Sequence, residues 1–152
     1  MVVVRNVVLT SLVGFLFAAS WWVFVDGVSL SDVNNSGTGP FWLYCPGILT
    51  TIGLFLISNL PTYMFAKEDT GEETTVLQKI ILVISVICLF GGVAAGIWLN
   101  ASKKVDRSDS FKKWRAIAAL IQSCVITLIS FAWCYLYVDP ETAPYNALTT
   151  PF

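Results

Sequence analysis

Apolar residues fall into four long runs, Val7–Val28, Phe41–Ala66, Val76–Asn100 and Trp114–Val138, separated by short polar stretches. A helix needs about 20 mostly apolar residues to cross a hydrocarbon core of about 30 Å, and every run reaches that length. The pattern predicts an all-α membrane protein, with four transmembrane helices in a compact bundle joined by short connectors and no separate soluble domain. Residues 1–152 form one membrane domain on this reading.

The breaks between runs follow from turn chemistry. The first run closes at Asp26-Gly27, and Ser29–Pro40 is rich in Ser, Asn, Asp and Gly. Pro46 stands in the first turns of the second run, where the missing N–H does no harm. Asn59-Leu60-Pro61 marks a kink or the close of that run's buried part. The connector Lys67–Thr75 carries Glu68, Asp69, Glu72 and Glu73 and is expected in solvent, with Thr74 or Thr75 capping the third helix. After Val138 the sequence Asp139-Pro140-Glu141, then Pro144 and Pro151, cannot continue a helix.

Composition sharpens the assignment. Hydrophobic residues make up 56% of the chain and charged ones 12%, and mean hydropathy is +0.72, against about a quarter charged in soluble domains. A net charge of −1 with no basic stripe argues against nucleic acid as a partner. The apolar part of Met1–Val28 is longer than a signal-peptide core and no clear cleavage site follows it, so it is read as a retained first span. Cys45, Cys88, Cys124 and Cys134 all lie inside apolar runs without a C-x-x-C pair, and the chain has no His. They are expected to act as small buried apolar residues, with neither disulfide nor metal.

Small residues cluster in the third run at Gly91-Gly92-Val93-Ala94-Ala95-Gly96. Gly92–Gly96 is a G-x-x-x-G step and Gly91–Ala95 runs beside it. Small residues four apart leave a flat face on which another helix backbone can pack closely. The partner of that face is either the first span, which offers Gly14 and Ala18, or a helix of another protein.

The connector Lys103–Arg115 concentrates charge, with Lys103, Lys104, Arg107, Lys112, Lys113 and Arg115. It is either a solvated turn whose side chains snorkel to the membrane edges or a contact for anionic lipid headgroups. Four spans put both termini on one side. Three basic residues there (Arg5, Lys67, Lys79) against six in this connector place the connector in the cytoplasm or its equivalent. The glycosylation sequon Asn34-Asn35-Ser36 points the other way.

Few residues offer chemistry. Asp26 follows Trp21-Trp22-Val23-Phe24-Val25. A carboxylate deep in a membrane marks an ion pathway, but paired tryptophans belong to the interfacial belt, so Asp26 is expected at headgroup level in a structural role. Asn59 and Gln122 are the other polar side chains within runs, suited to hydrogen bonds between helices worth about 0.6 to 2 kcal/mol each. Without His, paired carboxylates or a phosphate loop, no catalytic set is visible, and no cofactor is implied.

The segment Gly14–Asp26, glycine and apolar residues leading through Trp21-Trp22 to Asp26, resembles the transmembrane protein 50 family. The likeness continues through Leu56-Ile57-Ser58-Asn59, Phe90–Gly96 and Ile121-Gln122-Ser123, covering about Val7–Val138. The family's usual longer polar N-terminal segment is nearly missing, and Phe111-Lys112-Lys113-Trp114 replaces its Tyr-Pro. The resemblance implies a four-span protein without known catalysis. It also implies a place in endosomal or secretory sorting, since the fungal member is a vacuolar protein sorting protein that acts with another small four-span protein.

Three functions follow as expectations. The first is a non-catalytic adaptor binding other integral membrane proteins through the span-three small face and the Trp-rich edge of span one. The second is an accessory subunit of a large complex in an organelle inner membrane, mitochondrial or plastid. The third, an ion-conducting unit using Asp26, has the thinnest basis.

Overall fold

The computed structural model describes residues 2–33, 41–60, 75–102 and 110–137. Within them the chain is helical throughout: α1 (Val2–Val33), a 3₁₀ turn at Phe41–Leu43, α2 (Cys45–Ser58), α3 (Val76–Ala101) and α4 (Ser110–Leu136). They form a four-helix membrane bundle.

Local chemistry sets the helix ends. Pro46 sits in the first turn of α2, where its lack of an N–H costs no helical bond. Thr75 caps α3 in a capping box: the Gln78 N–H donates to Thr75 Oγ1 at 3.4 Å while the Thr75 N–H donates to Gln78 Oε1 at 2.9 Å. One boundary differs from the sequence pattern. α1 does not stop at Asp26-Gly27 but runs to Val33, because Gly27 is packed against α4 and stays helical. Of the second run, expected over 41–66, residues 61–66 lie outside the described residues, and the described part holds a regular helix of 14 residues. At 1.5 Å per residue that is about 21 Å, short of a full crossing, whereas α1, α3 and α4 are each long and apolar enough to span. Leu60 precedes Pro61, which disfavours helix at the residue before it, and the chain leaves the helix at Asn59.

Neighbours in sequence alternate in direction. α1 and α4 are antiparallel, with Gly27 beside Ala118 at one end and Phe17 in the Leu54–Ile126–Ile129 cluster further along. α2 and α3 are antiparallel too, Gly92 meeting Thr50 and Gly53 meeting Leu89. α4 touches all three other helices and is the most deeply embedded, burying Ala116, Ala118, Ala119, Ser123, Ile126 and Ser130 among others. Its small and hydroxylated residues let three helices approach one axis. Ser123 and Ser130 hydroxyls donate to carbonyls four residues earlier, at 2.9 and 2.7 Å, so their burial leaves no polar group wanting.

Packing is layered along the bundle. Phe24, Leu43, Leu99 and Ala119 fill one end, Leu54, Ile126 and Ile129 the middle, and Ile57, Leu60, Leu89 and Cys134 the other end. The outer surfaces of α1 and α3 are apolar and exposed, as at Phe15, Trp22, Ile87 and Trp98. Such surfaces are open to lipid or to another membrane helix.

Candidate functional site

The glycines divide into those engaged inside the bundle and those that look out. A Cβ on Gly92 would run into Thr50 Cγ2 and lie 2.8 Å from the Pro46 carbonyl oxygen. One on Gly96 would lie 3.2 Å from Leu120, and one on Gly53 2.8 Å from Leu89. Glycine here is what allows α3 to meet α2 and α4 at backbone distance. The G-x-x-x-G step of α3 thus packs on two different helices of the same chain, and neither is α1.

Gly91 and Gly14 are the opposite case. A Cβ on either would meet nothing within 4 Å. Gly14 and Ala18 are therefore not the counterpart of the α3 face, which corrects the pairing suggested by spacing alone. The reason is topology: α1 docks on α4, leaving α3 to α2 and α4. Ala94 and Ala18 are exposed and Ala95 half-buried. The α3 cluster accordingly has two sides, Gly92 and Gly96 inward, Gly91 and Ala94 outward between the exposed Phe90 and Trp98.

The tryptophan pair also divides. Trp21 is half-buried and meets Phe24 edge-on, with ring centroids 6.0 Å apart. Trp22 is 75% exposed and projects outward from α1. Asp26 is exposed and accepts a long hydrogen bond of 3.4 Å from Trp114 Nε1 on α4. Beside it, a Cβ on Gly27 would sit 3.1 Å from Ala118 Cβ and 3.3 Å from Arg115 Cα. The Trp-Trp-to-Asp-Gly segment thereby fastens the far end of α1 to the start of α4.

The polar residues behave differently from their expected roles. Asn59 bonds within its own helix end, Nδ2 donating to the Phe55 carbonyl at 2.6 Å, and is exposed. Gln122 is fully buried against Gly47, with 2.5 Å from its Oε1 to a Cβ built there, and neither amide atom has a hydrogen-bond partner. It fills space between α4 and α2 instead of bonding across it. Arg115, grouped with the headgroup candidates, is 7% exposed. Its position on the face that meets Gly27 turns it into the bundle. Lys113 is exposed and Lys112 half-buried. Lys103, Lys104 and Arg107, the sequon at Asn34 and the acidic connector up to Thr74 lie outside the described residues.

The polar link between helices comes from a residue the hydrophobic pattern hides. Asn100 Nδ2, in the last turn of α3, donates to Gly96 O at 3.0 Å and to Ala116 O of α4 at 2.8 Å. Its spacing of four from Gly96, on the face where α4 comes closest, was the available signal. Thr127 Oγ1 adds a 3.5 Å contact to Leu89 O. The cysteines are free, Cys134 buried and Cys45, Cys88 and Cys124 half-buried.

A cleft of about 390 Å³ opens between α1, α2 and α4, with Gly14 and Phe17 on one side, Leu54 and Phe55 on another, and Trp133 on the third.

The model of an uncharacterised protein family, UPF0220, matches residues 2–136. The chain belongs to that family, the transmembrane protein 50 family. A family member from Dictyostelium discoideum, Transmembrane protein 50 homolog, is 28% identical over 134 residues, covering 80% of this chain and 84% of the relative. No solved structure matches. The family match takes in all four helices, so the two-sided α3 and the α1–α4 clasp lie within the part shared with the family.

Proposed function

We propose that this chain is a non-catalytic integral membrane protein that acts as an adaptor or assembly partner, docking a transmembrane helix of another protein on the outer side of α3. The observation that carries the reading is Gly91: beside a glycine jammed against Thr50 stands one whose outward side is open, next to exposed Ala94. In lipid there is no hydrophobic drive to bring helices together, so a small-residue step where backbones can approach is the feature an incoming helix would use. Exposed Trp22 and Ala18 on α1 offer a second edge. The family resemblance supports endosomal or secretory sorting as the setting.

Copurification from native membranes tests this. Gly91→Leu closes the outer step without touching the bundle, so the variant should be recovered folded, with its membrane partner reduced about tenfold or more, the ratio that 1.4 kcal/mol gives. Unchanged recovery of every partner would sink the proposal. Stoichiometric recovery with a respiratory or photosynthetic complex would replace sorting by the accessory-subunit role.

A further inference from the structure

The cleft between α1, α2 and α4 has no role in the helix-docking reading, and its chemistry is specific. Described residues of α1, α2 and α4 line it from three sides. Thr10 and Phe17, which line it, lie about 9 and 20 Å along the Val4–Leu30 span. That span is about 40 Å long and, centred on a core of about 30 Å, overhangs it by about 5 Å at each end, so the two residues lie about 4 and 15 Å deep, within one leaflet's hydrocarbon. Gly14 forms a floor with nothing within 4 Å of a Cβ, and Phe17 and Phe55 wall it.

The polar groups of the cleft narrow the occupant. Thr10 Oγ1 already donates to Asn6 O at 2.8 Å and Ser58 Oγ to Phe55 O at 3.0 Å, so both hydroxyls are satisfied by their own helices. Trp133 differs. Its ring is held by stacking on Tyr137, centroids 4.5 Å apart, and its indole N–H makes no hydrogen bond among the described residues. It stands three residues before the end of α4, near the interface, where tryptophan N–H groups meet the wet side of a bilayer. An apolar slot of a few hundred Å³ with an indole donor among its lining residues has the form of a small-molecule site. The acceptors that membrane supplies next to acyl chains are lipid ester carbonyls.

We propose that this cleft holds one acyl chain of a diacyl glycerophospholipid from the leaflet on the side of the chain termini, its ester carbonyl accepting from Trp133 Nε1. The chain lies over Gly14 between Phe17 and Phe55. It restores dispersion contacts that an empty wedge would forfeit.

The test uses the full chain in phosphatidylcholine liposomes doped with a phosphatidylcholine bearing a diazirine midway along one acyl chain. After irradiation, labelled peptides are mapped by mass spectrometry. Labelling of segments 10–17 and 54–58 should exceed that of the exposed α3 stretch 80–87 by roughly fivefold, the ratio that about 1 kcal/mol gives. Gly14→Leu, which fills the slot, should remove that excess while leaving α3 labelling unchanged, and Trp133→Phe should lower it. If Gly14→Leu does not fold, Phe55→Ala, which takes away an exposed wall, should lower the excess instead. Uniform labelling indifferent to these variants overturns the proposal, as does loss of labelling to an added sterol but not to unlabelled phosphatidylcholine. The purified chain carries no partner, so failure here leaves the helix-docking reading standing, and the reverse holds equally.

Discussion

Gly91 and Gly92 are adjacent in sequence and opposite in consequence, so replacing each by alanine is a sharp probe of the bundle. At Gly92 the new methyl group would overlap Thr50 Cγ2 and approach two backbone atoms of α2, Pro46 O at 2.8 Å and Thr50 N at 3.2 Å. A side-chain end can rotate away, but backbone cannot, so α2 and α3 must separate. Overpacking of this kind costs about 1 to 3 kcal/mol. At Gly91 the methyl meets nothing, and alanine gains up to about 1 kcal/mol of helix propensity over glycine. The same gain applies at Gly92 and cancels, so the two variants should differ by the overpacking cost, about 1 to 3 kcal/mol, a factor of roughly 5 to 160 in the unfolding equilibrium. Reversible unfolding in mixed micelles with increasing sodium dodecyl sulfate, followed by tryptophan fluorescence, measures the difference. Equal stability of the two variants would refute the packing of α3 on α2 described here.

Three further outcomes follow from the polar residues. Gln122→Met keeps the volume over Gly47 and removes an amide with no partner, so it should leave stability unchanged or raise it by about 1 kcal/mol; a clear loss in the same unfolding assay would mean that the amide is bonded. Asn100→Leu removes the 2.8 Å link to Ala116 O and should cost about 0.6 to 1.7 kcal/mol, the range for such bonds in membrane bundles, read as a lower detergent midpoint. Asp26→Asn keeps an oxygen that accepts from Trp114 Nε1, so the fold and any partner recovery should survive; if a liposome ion flux existed and vanished in this variant alone, the conducting role would return.

Much of the fold could be read from hydropathy because lipid forces every backbone group to be satisfied within helices. Runs of apolar residues located α1, α3 and α4 to within a few residues at most ends. In the second run the regular helix Cys45–Ser58 closes at Asn59, where the Asn59–Pro61 punctuation pointed, and residues 61–66 of that run lie outside the described residues. Gly27 misled. A glycine reads as a stop in one dimension, yet against Ala118 it is a close-packing position inside a continuous helix. Periodicity identified the small face of α3 but could not say which helix it meets, because four-residue spacing carries no information on topology. Arg115 shows the same limit: its charge suggested a headgroup contact, while its register beside Gly27 placed it on the buried side of α4. The role of Gln122 was not legible, and the four-residue spacing of Asn100 from Gly96 placed it on a packing face without telling which backbone lies opposite.

The proposed docking face is tested most directly by a photo-crosslinking amino acid placed at Gly91 in the native membrane, with the same residue at exposed Val83 of α3 as the control. Irradiation and mass spectrometry identify what each position touches. The reading predicts a discrete adduct between position 91 and a transmembrane helix of another integral membrane protein, absent at position 83. Lipid adducts alone at both positions would contradict it.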